Sequence, residues 1–307
     1  MPVAAMDPRE RVLSAIRHRP VDLVPCGEIL VDDVLVAALV GAEAVGFEER
    51  LAALTSLGMD LVCLPTRFHP PLLEGYLPSP DTASWPDLLR WVEDSRLFVF
   101  VMLDGPFTWG ARLLGWQQFL LAVGRGSEQV GEMVLAVERL NRELVARAVD
   151  LGAMGVLMAD DVAHSRGLAV PPSILRERFL RSASRVVEAA HSAGAVSFFH
   201  SDGNLEKAIP DLMEAGFDGL QCLEAAAGMD LAQVKARYGD RLCLWGNLDL
   251  SELVLPRSRE QLAAAVENVL SVGWRDGGLI FGTSSGLAEG VLLENLKAVM
   301  ELVRGSC

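Results

Sequence analysis

A chain of 307 residues, 51% hydrophobic and 22% charged with a mean hydropathy of +0.30, can bury a large core. Its 41 acidic against 27 basic residues give a formal net charge of -14, which repels phosphate backbones and anionic lipid surfaces, so neither nucleic acid nor a membrane is an expected partner. The opening MPVAAMDPRERV lacks a secretory apolar core, and no window holds the roughly 18 apolar residues of a spanning helix; the expected location is the cytoplasm.

In chain order, RERVLSAIRHRPVD reads as an extra N-terminal helix that ends before Pro20. Eight short apolar runs follow: LVPCGEIL (23–30), DLVCLP (60–65), LFVFVML (97–103), GVLMA (155–159), AVSFFH (195–200), DGLQCL (218–223), RLCLWG (241–246) and GLIFG (278–282). They are continuous rather than alternating, as parallel strands covered on both faces must be. Helical periods ending in glycine lie between them, at 176–194, 204–216 and 259–273, and the stretch 104–154 exceeds one helix. Eight strand–helix repeats without a tight hairpin predict an α/β fold, a (β/α)8 TIM barrel, and no linker or composition shift divides residues 1–307, so a single domain is expected. The cysteines at 26, 63, 222, 243 and 307 contain no C-x-x-C, and four lie in apolar runs, which reads as buried thiols and not a disulfide framework.

Catalytic groups of such barrels come from the C-terminal ends of the strands. The polar residues there are Glu28; Thr66, Arg67 and His69; Asp104; Asp160 and Asp161; His200 and Asp202; Glu224; Asn247 and Asp249; and Thr283, Ser284 and Ser285. In SFFHSDGN, His200 ends the fifth run and Asp202 lies two residues on, so with Glu224 after the sixth run they form a candidate His/Asp/Glu set for zinc or another divalent ion. The same spacing also suits a structural pair in which Asp202 caps a helix over 204–216. His191 and His18 read as helix-end residues, and Trp109 and Trp116 as packing or lid residues.

The segments RERVLSAIRHRPVDLVP, LDGPFTWGARLLG, the stretch from HSDGNLEKAIPDLM to LCLWGNLD, and FGTSSGLAEGVLLENLKAVMELV together resemble the uroporphyrinogen decarboxylase-like superfamily, which implies a (β/α)8 barrel. Decarboxylases of that superfamily carry an Arg-rich segment, RQAGRYLPEY, that grips substrate carboxylates. Residues 25–41 stand in its place here and hold no Arg, Lys or Tyr, while Glu28, Asp32 and Asp33 add negative charge. The cobalamin-linked methyltransferase branch binds zinc through H-x-C on strand five and a distant Cys on strand eight. By position His200 matches the His, Asp202 replaces the first Cys and Ser285 stands near the second.

The resemblance thus implies a corrinoid-linked methyltransferase that demethylates a small methoxylated or N-methylated compound. A divalent metal, expected to be zinc, would sit on His200, Asp202 and Glu224, a partner protein would supply the corrinoid, and the chain would pair as a homodimer. Asp160 and Asp161 are the expected proton donor or support for the site; Glu28, Arg67, His69, Asn247, Ser284 and Ser285 are the expected substrate contacts. The alternative is a decarboxylase of tetrapyrrole biosynthesis using Asp104 or Asp161, and a third reading is a non-catalytic small-molecule-binding barrel.

Overall fold

The computed structural model describes residues 5–70 and 75–306, so Cys307 lies outside the described residues. Seven of the eight apolar runs form strands: β1 Leu61–Pro65, β2 Phe98–Asp104, β3 Gly155–Ala159, β4 Val196–His200, β5 Gly219–Cys222, β6 Cys243–Leu248 and β7 Leu279–Thr283. The helices used below are α1 Pro8–Ile16, α2 Pro106–Leu114, α3 Trp116–Gly124, α4 Glu128–Asp150, α5 Arg181–Ser192, α6 Ile209–Glu214 and α7 Arg259–Leu270. The alternation of parallel strands with helices is the α/β class of TIM barrels.

The chain forms two compact units, one of Met1–Cys63, Leu89–Val99 and Gly219–Cys307, the other of Leu64–Leu88 and Phe100–Asp218. In the second unit β2, β3 and β4 pair in parallel with Asp104 opposite Ala159 and Ala159 opposite His200, so their C-terminal ends are level. Phe100, Val101, Phe198 and Phe199 are fully buried, each contributing roughly 1.5–3 kcal/mol by leaving water, and Phe100 meets Phe198 edge to face at 5.4 Å. The stretch 104–154 carries α2, α3 and α4. Phe107 fixes α2 against α3 and the 176–180 turn through edge contacts with Phe119 (4.9 Å) and Phe179 (5.2 Å). α5 stops at Ser192, with Gly194 at φ 91° just beyond, as its glycine signal predicts.

In the first unit β5, β6 and β7 pair in parallel, with Leu248 opposite Thr283. The expected N-terminal helix is α1; the Gly278 N–H, just before β7, donates to its Ala15 carbonyl at 2.7 Å. α7 opens with a capping box of Ser258 and Gln261. Cys26, Cys63, Cys222 and Cys243 are buried free thiols.

Two expectations are corrected. The run 23–30 is no strand but an extended segment bridged to β7 at Cys26. Pro25 has no N–H to give a ladder, and the Cys26 N–H donates instead to Asp60 Oδ2 at 2.9 Å. The helix over 204–216 is only α6, with Pro210 in its first turn. A proline fits that turn but not a helix interior, so α6 starts at Ile209 with Ala208 as N-cap, and Asp202 does not cap it.

The first unit is tied together by a buried ion network. Arg11 bonds Asp22 at 2.7 Å and Asp60 at 2.5 Å, with Arg11 and Asp60 side chains only 6% and 2% exposed; Arg304 reaches Asp60 at 3.4 Å. The Arg11 hydrogen bond holds the Asp22 carboxyl down at about 2. Arg11→Ala leaves Asp60 buried without its nearest cation, and we expect a loss of about 3–5 kcal/mol in urea-unfolding free energy. A loss under about 1 kcal/mol would show that Arg304 and water replace the pairing.

Candidate functional site

The level ends of β2, β3 and β4 bring polar side chains of the second unit to one edge. Directly after β3, Asp160 is 2% exposed and accepts the Thr108 N–H at 2.7 Å, so its carboxyl caps the first turn of α2 from another element. Gly105 is required for this approach: a Cβ there would stand 2.3 Å from Asp160 Cγ. Burial pushes the Asp160 pKa up to about 8, the Thr108 and Phe107 N–H groups holding it down in part and the neighbouring Asp161 charge adding to the rise. At neutral pH Asp160 is the protonated acid.

Asp161 is the opposite case one residue on. Its side chain is 54% exposed, its Oδ1 lies 4.0 Å from His200 Nε2, and its own N–H donates to Thr108 Oγ1 at 3.0 Å. The Asp202 N–H points to the same Asp161 oxygen at 3.4 Å. Gly203, at φ 86°, lets the HSDG turn lie against Ala163 and His164, where a Cβ would come within 2.5 Å of the His164 nitrogen. One imidazole nitrogen and one oxygen each from Asp161 and Asp202 lie within 4.8 Å of one another. Such a set offers the nitrogen and oxygen donors that a divalent ion takes at about 2.0–2.2 Å.

With this geometry in place, known proteins can be compared. The family model described as uroporphyrinogen decarboxylase (URO-D) matches residues 87–306. The chain belongs to the uroporphyrinogen decarboxylase family. Among curated proteins, the methylcobamide:CoM methyltransferase MtaA of Methanosarcina barkeri is 28% identical over 200 residues, 64% of this chain and 55% of that protein. The chain thus spans about half the length of the curated relatives it matches. Among solved structures, a methyltransferase from Methanosarcina mazei superposes with a TM-score of 0.78 at 19% identity, covering 98% of this chain and 99% of that one. A B12-independent methionine synthase from Shewanella sp. W3-18-1 gives 0.57 at 14% identity, covering 94% and 95%. These two likenesses show the fold.

The other predicted site residues of this family member are placed as follows. Asp104, ending β2, pairs with Arg112 of α2 at 2.5 Å, and its pKa is raised, first by burial. Arg67 and His69 are exposed, Arg67 on a two-residue ladder with Ser84. The first unit holds the rest. Glu28 is buried and accepts the Thr283 N–H at 2.8 Å and its hydroxyl at 2.6 Å; burial pushes it up to about 7 despite these bonds. Asn247 donates to the Leu223 carbonyl, and Ser284 and Ser285 hydroxyls stand 3.5 Å apart. Glu224 opens a short turn at Ala225–Ala227, after Cys222 and Leu223 at φ 87° and 53°, a strained stretch of the kind that persists at functional sites. Asp161, expected as a proton group, sets a carboxylate oxygen 4.0 Å from His200 Nε2; Thr108 was not singled out, and no sequence signal marks it.

Asp160 generates a pH prediction. Its folded pKa of about 8 stands above the ordinary 3.8, so the folded state holds a proton that the unfolded chain releases. Its contribution to stability is full below pH 3.8 and falls as pH rises to 8. Asp160→Asn keeps the acceptor for Thr108 and removes this slope: the variant should gain on wild type steadily between pH 5 and 8 in urea midpoints. Parallel pH profiles would refute the assignment.

Proposed function

We propose that the chain is a corrinoid-linked methyltransferase that demethylates a small methoxylated or N-methylated compound, with a divalent ion, zinc first, on Asp161, His200 and Asp202. The observation that carries the reading is this His and two-carboxylate cluster at the level strand ends, in a family member similar to a methylcobamide:CoM methyltransferase. Bound there, the ion would supply Lewis acidity to the substrate oxygen or nitrogen.

The chain's own residues prepare that place. The Thr108 hydroxyl accepts from the Asp161 backbone and sets where its carboxylate stands. Asp160 is turned away into the protein, its carboxyl taken by the Thr108 N–H, so the carboxylates that face His200 are those of Asp161 and Asp202. The exposed sides of Asp161 and Asp202 leave room for substrate, and the methyl acceptor is a corrinoid carried by a partner protein. A decarboxylase acting on a polycarboxylate draws less support: Arg112 is engaged by Asp104 and Arg67 sits on an exposed ladder.

Zinc measured by elemental analysis in protein purified without chelator should be near one per chain, and should fall below about a tenth in His200→Ala and Asp161→Ala. Absence of metal in wild type after zinc is supplied would end the metal-based reading. Methyl transfer from methoxylated or N-methylated compounds to cob(I)alamin, followed by its visible spectrum, should drop at least about 100-fold in His200→Ala. Carbon dioxide release from uroporphyrinogen with no methyl transfer would replace this function by decarboxylation.

A further inference from the structure

A seam of hydrogen bonds joins the exits of β3 and β4, all of it within the second unit. The Asp160 N–H donates to the His200 carbonyl at 2.9 Å, and farther along both turns the Asn204 N–H donates to the His164 carbonyl at 3.0 Å. Between these two backbone bonds, in chain order, comes Ser201, which separates His200 from Asp202 and is 0% exposed. Its hydroxyl donates to the Asp202 carbonyl at 2.7 Å and accepts the Val162 N–H at 3.2 Å, an N–H that the Asp160 carbonyl shares at 2.8 Å.

One buried oxygen thus touches both exit turns. Val162 directly follows Asp161 and Ser201 directly precedes Asp202, so the bond joins the backbone next to both carboxyl-bearing residues. Charge opposes their approach: the Asp161 and Asp202 oxygens lie within 4.8 Å of each other and of a His200 nitrogen, and two carboxyl groups that close repel when both are ionised. Both residues are exposed, so core packing does not hold them there. A hydroxyl suits the position between them because it donates and accepts at once and adds no charge beside the cluster.

We propose that Ser201 is a positioning residue of this cluster, its hydroxyl holding the Asp161 and Asp202 turns at the separation from which both carboxylates and His200 reach one divalent ion. The role rests on the divalent-ion reading of the site. Ser201 touches neither ion nor substrate and acts through the backbone. Without its hydroxyl the Asp202 carbonyl loses this donor and the two turns can part, so metal affinity falls through geometry while every ligand is still present.

Zinc affinity, measured on the full chain by competition with a chromophoric chelator, should be about 10–100-fold weaker in Ser201→Ala than in wild type, the loss typical of a residue that supports ligands without being one. Ser201→Thr, which keeps the hydroxyl, should bind zinc more tightly than Ser201→Ala. In the metal-free protein, hydrogen exchange at the Asp160 and Val162 amides of Ser201→Ala should be at least about tenfold faster than in wild type, with the Phe198 amide inside β4 unchanged. Zinc held as tightly by Ser201→Ala as by wild type, the reverse order of the Thr and Ala variants, or equal acceleration at Phe198 would overturn this role and leave the divalent-ion reading standing. A wild-type chain that takes no zinc would end both. If Ser201→Ala does not fold, a crystal structure of the zinc-soaked wild type decides: the ion on Asp161, His200 and Asp202 with both Ser201 bonds kept supports the role, and the ion bound with either bond broken overturns it.

Discussion

A parallel strand covered on both faces can present polar side chains to water only at its ends, and the candidate site follows from that constraint. Within β2, β3 and β4 the side chains from Val99 to Val101, Val156 to Met158 and Phe198 to Phe199 are buried, so nothing along them can carry chemistry in contact with water. The parallel register then sets Asp104, Ala159 and His200 side by side, and the polar residues that follow them converge because the ladder leaves them level. His200 is near Asp161 for that reason, 39 positions apart in the chain.

What happens beyond the ladder is a division of labour among carboxyl groups. Asp160 and Asp161 are consecutive, yet the strand's exit turns one inward and the other outward. The buried one has its pKa raised by desolvation and uses its oxygen on the α2 amide; the exposed one faces His200. Glu28 repeats the first role in the other unit, a buried carboxyl satisfied by the Thr283 N–H and hydroxyl. Burial thus raises the pKa of two rim carboxyls, Asp160 and Glu28, while Asp104 is paired with Arg112.

Most of the fold was legible because continuous apolar runs bounded by glycine have few other uses in a chain of this length. The misreadings have local causes. The run 23–30 has the composition of a strand, but Pro25 cannot donate to a ladder and the Cys26 amide is claimed by Asp60 from a different segment. The period over 204–216 is helical, yet Pro210 admits a helix only from Ile209 onward. The rim was legible as a list, since each member simply follows an apolar run, but its internal contacts were not: the Thr108 bond to Asp161 and the approach of Asp161 to His200 depend on how α2 packs, and no periodicity encodes that.

The amino-acid sequence by itself determined the α/β alternation, the extra first helix, the buried thiols, the family resemblance and which polar residues stand at strand ends. These are one-dimensional properties, set by how hydrophobic residues repeat and where glycine and proline interrupt them. Only the tertiary structure decided which carboxyl has its pKa raised by burial and which faces His200. Each of these depends on desolvation and on partners distant in the chain, and desolvation is a property of the packed neighbourhood, not of the residue.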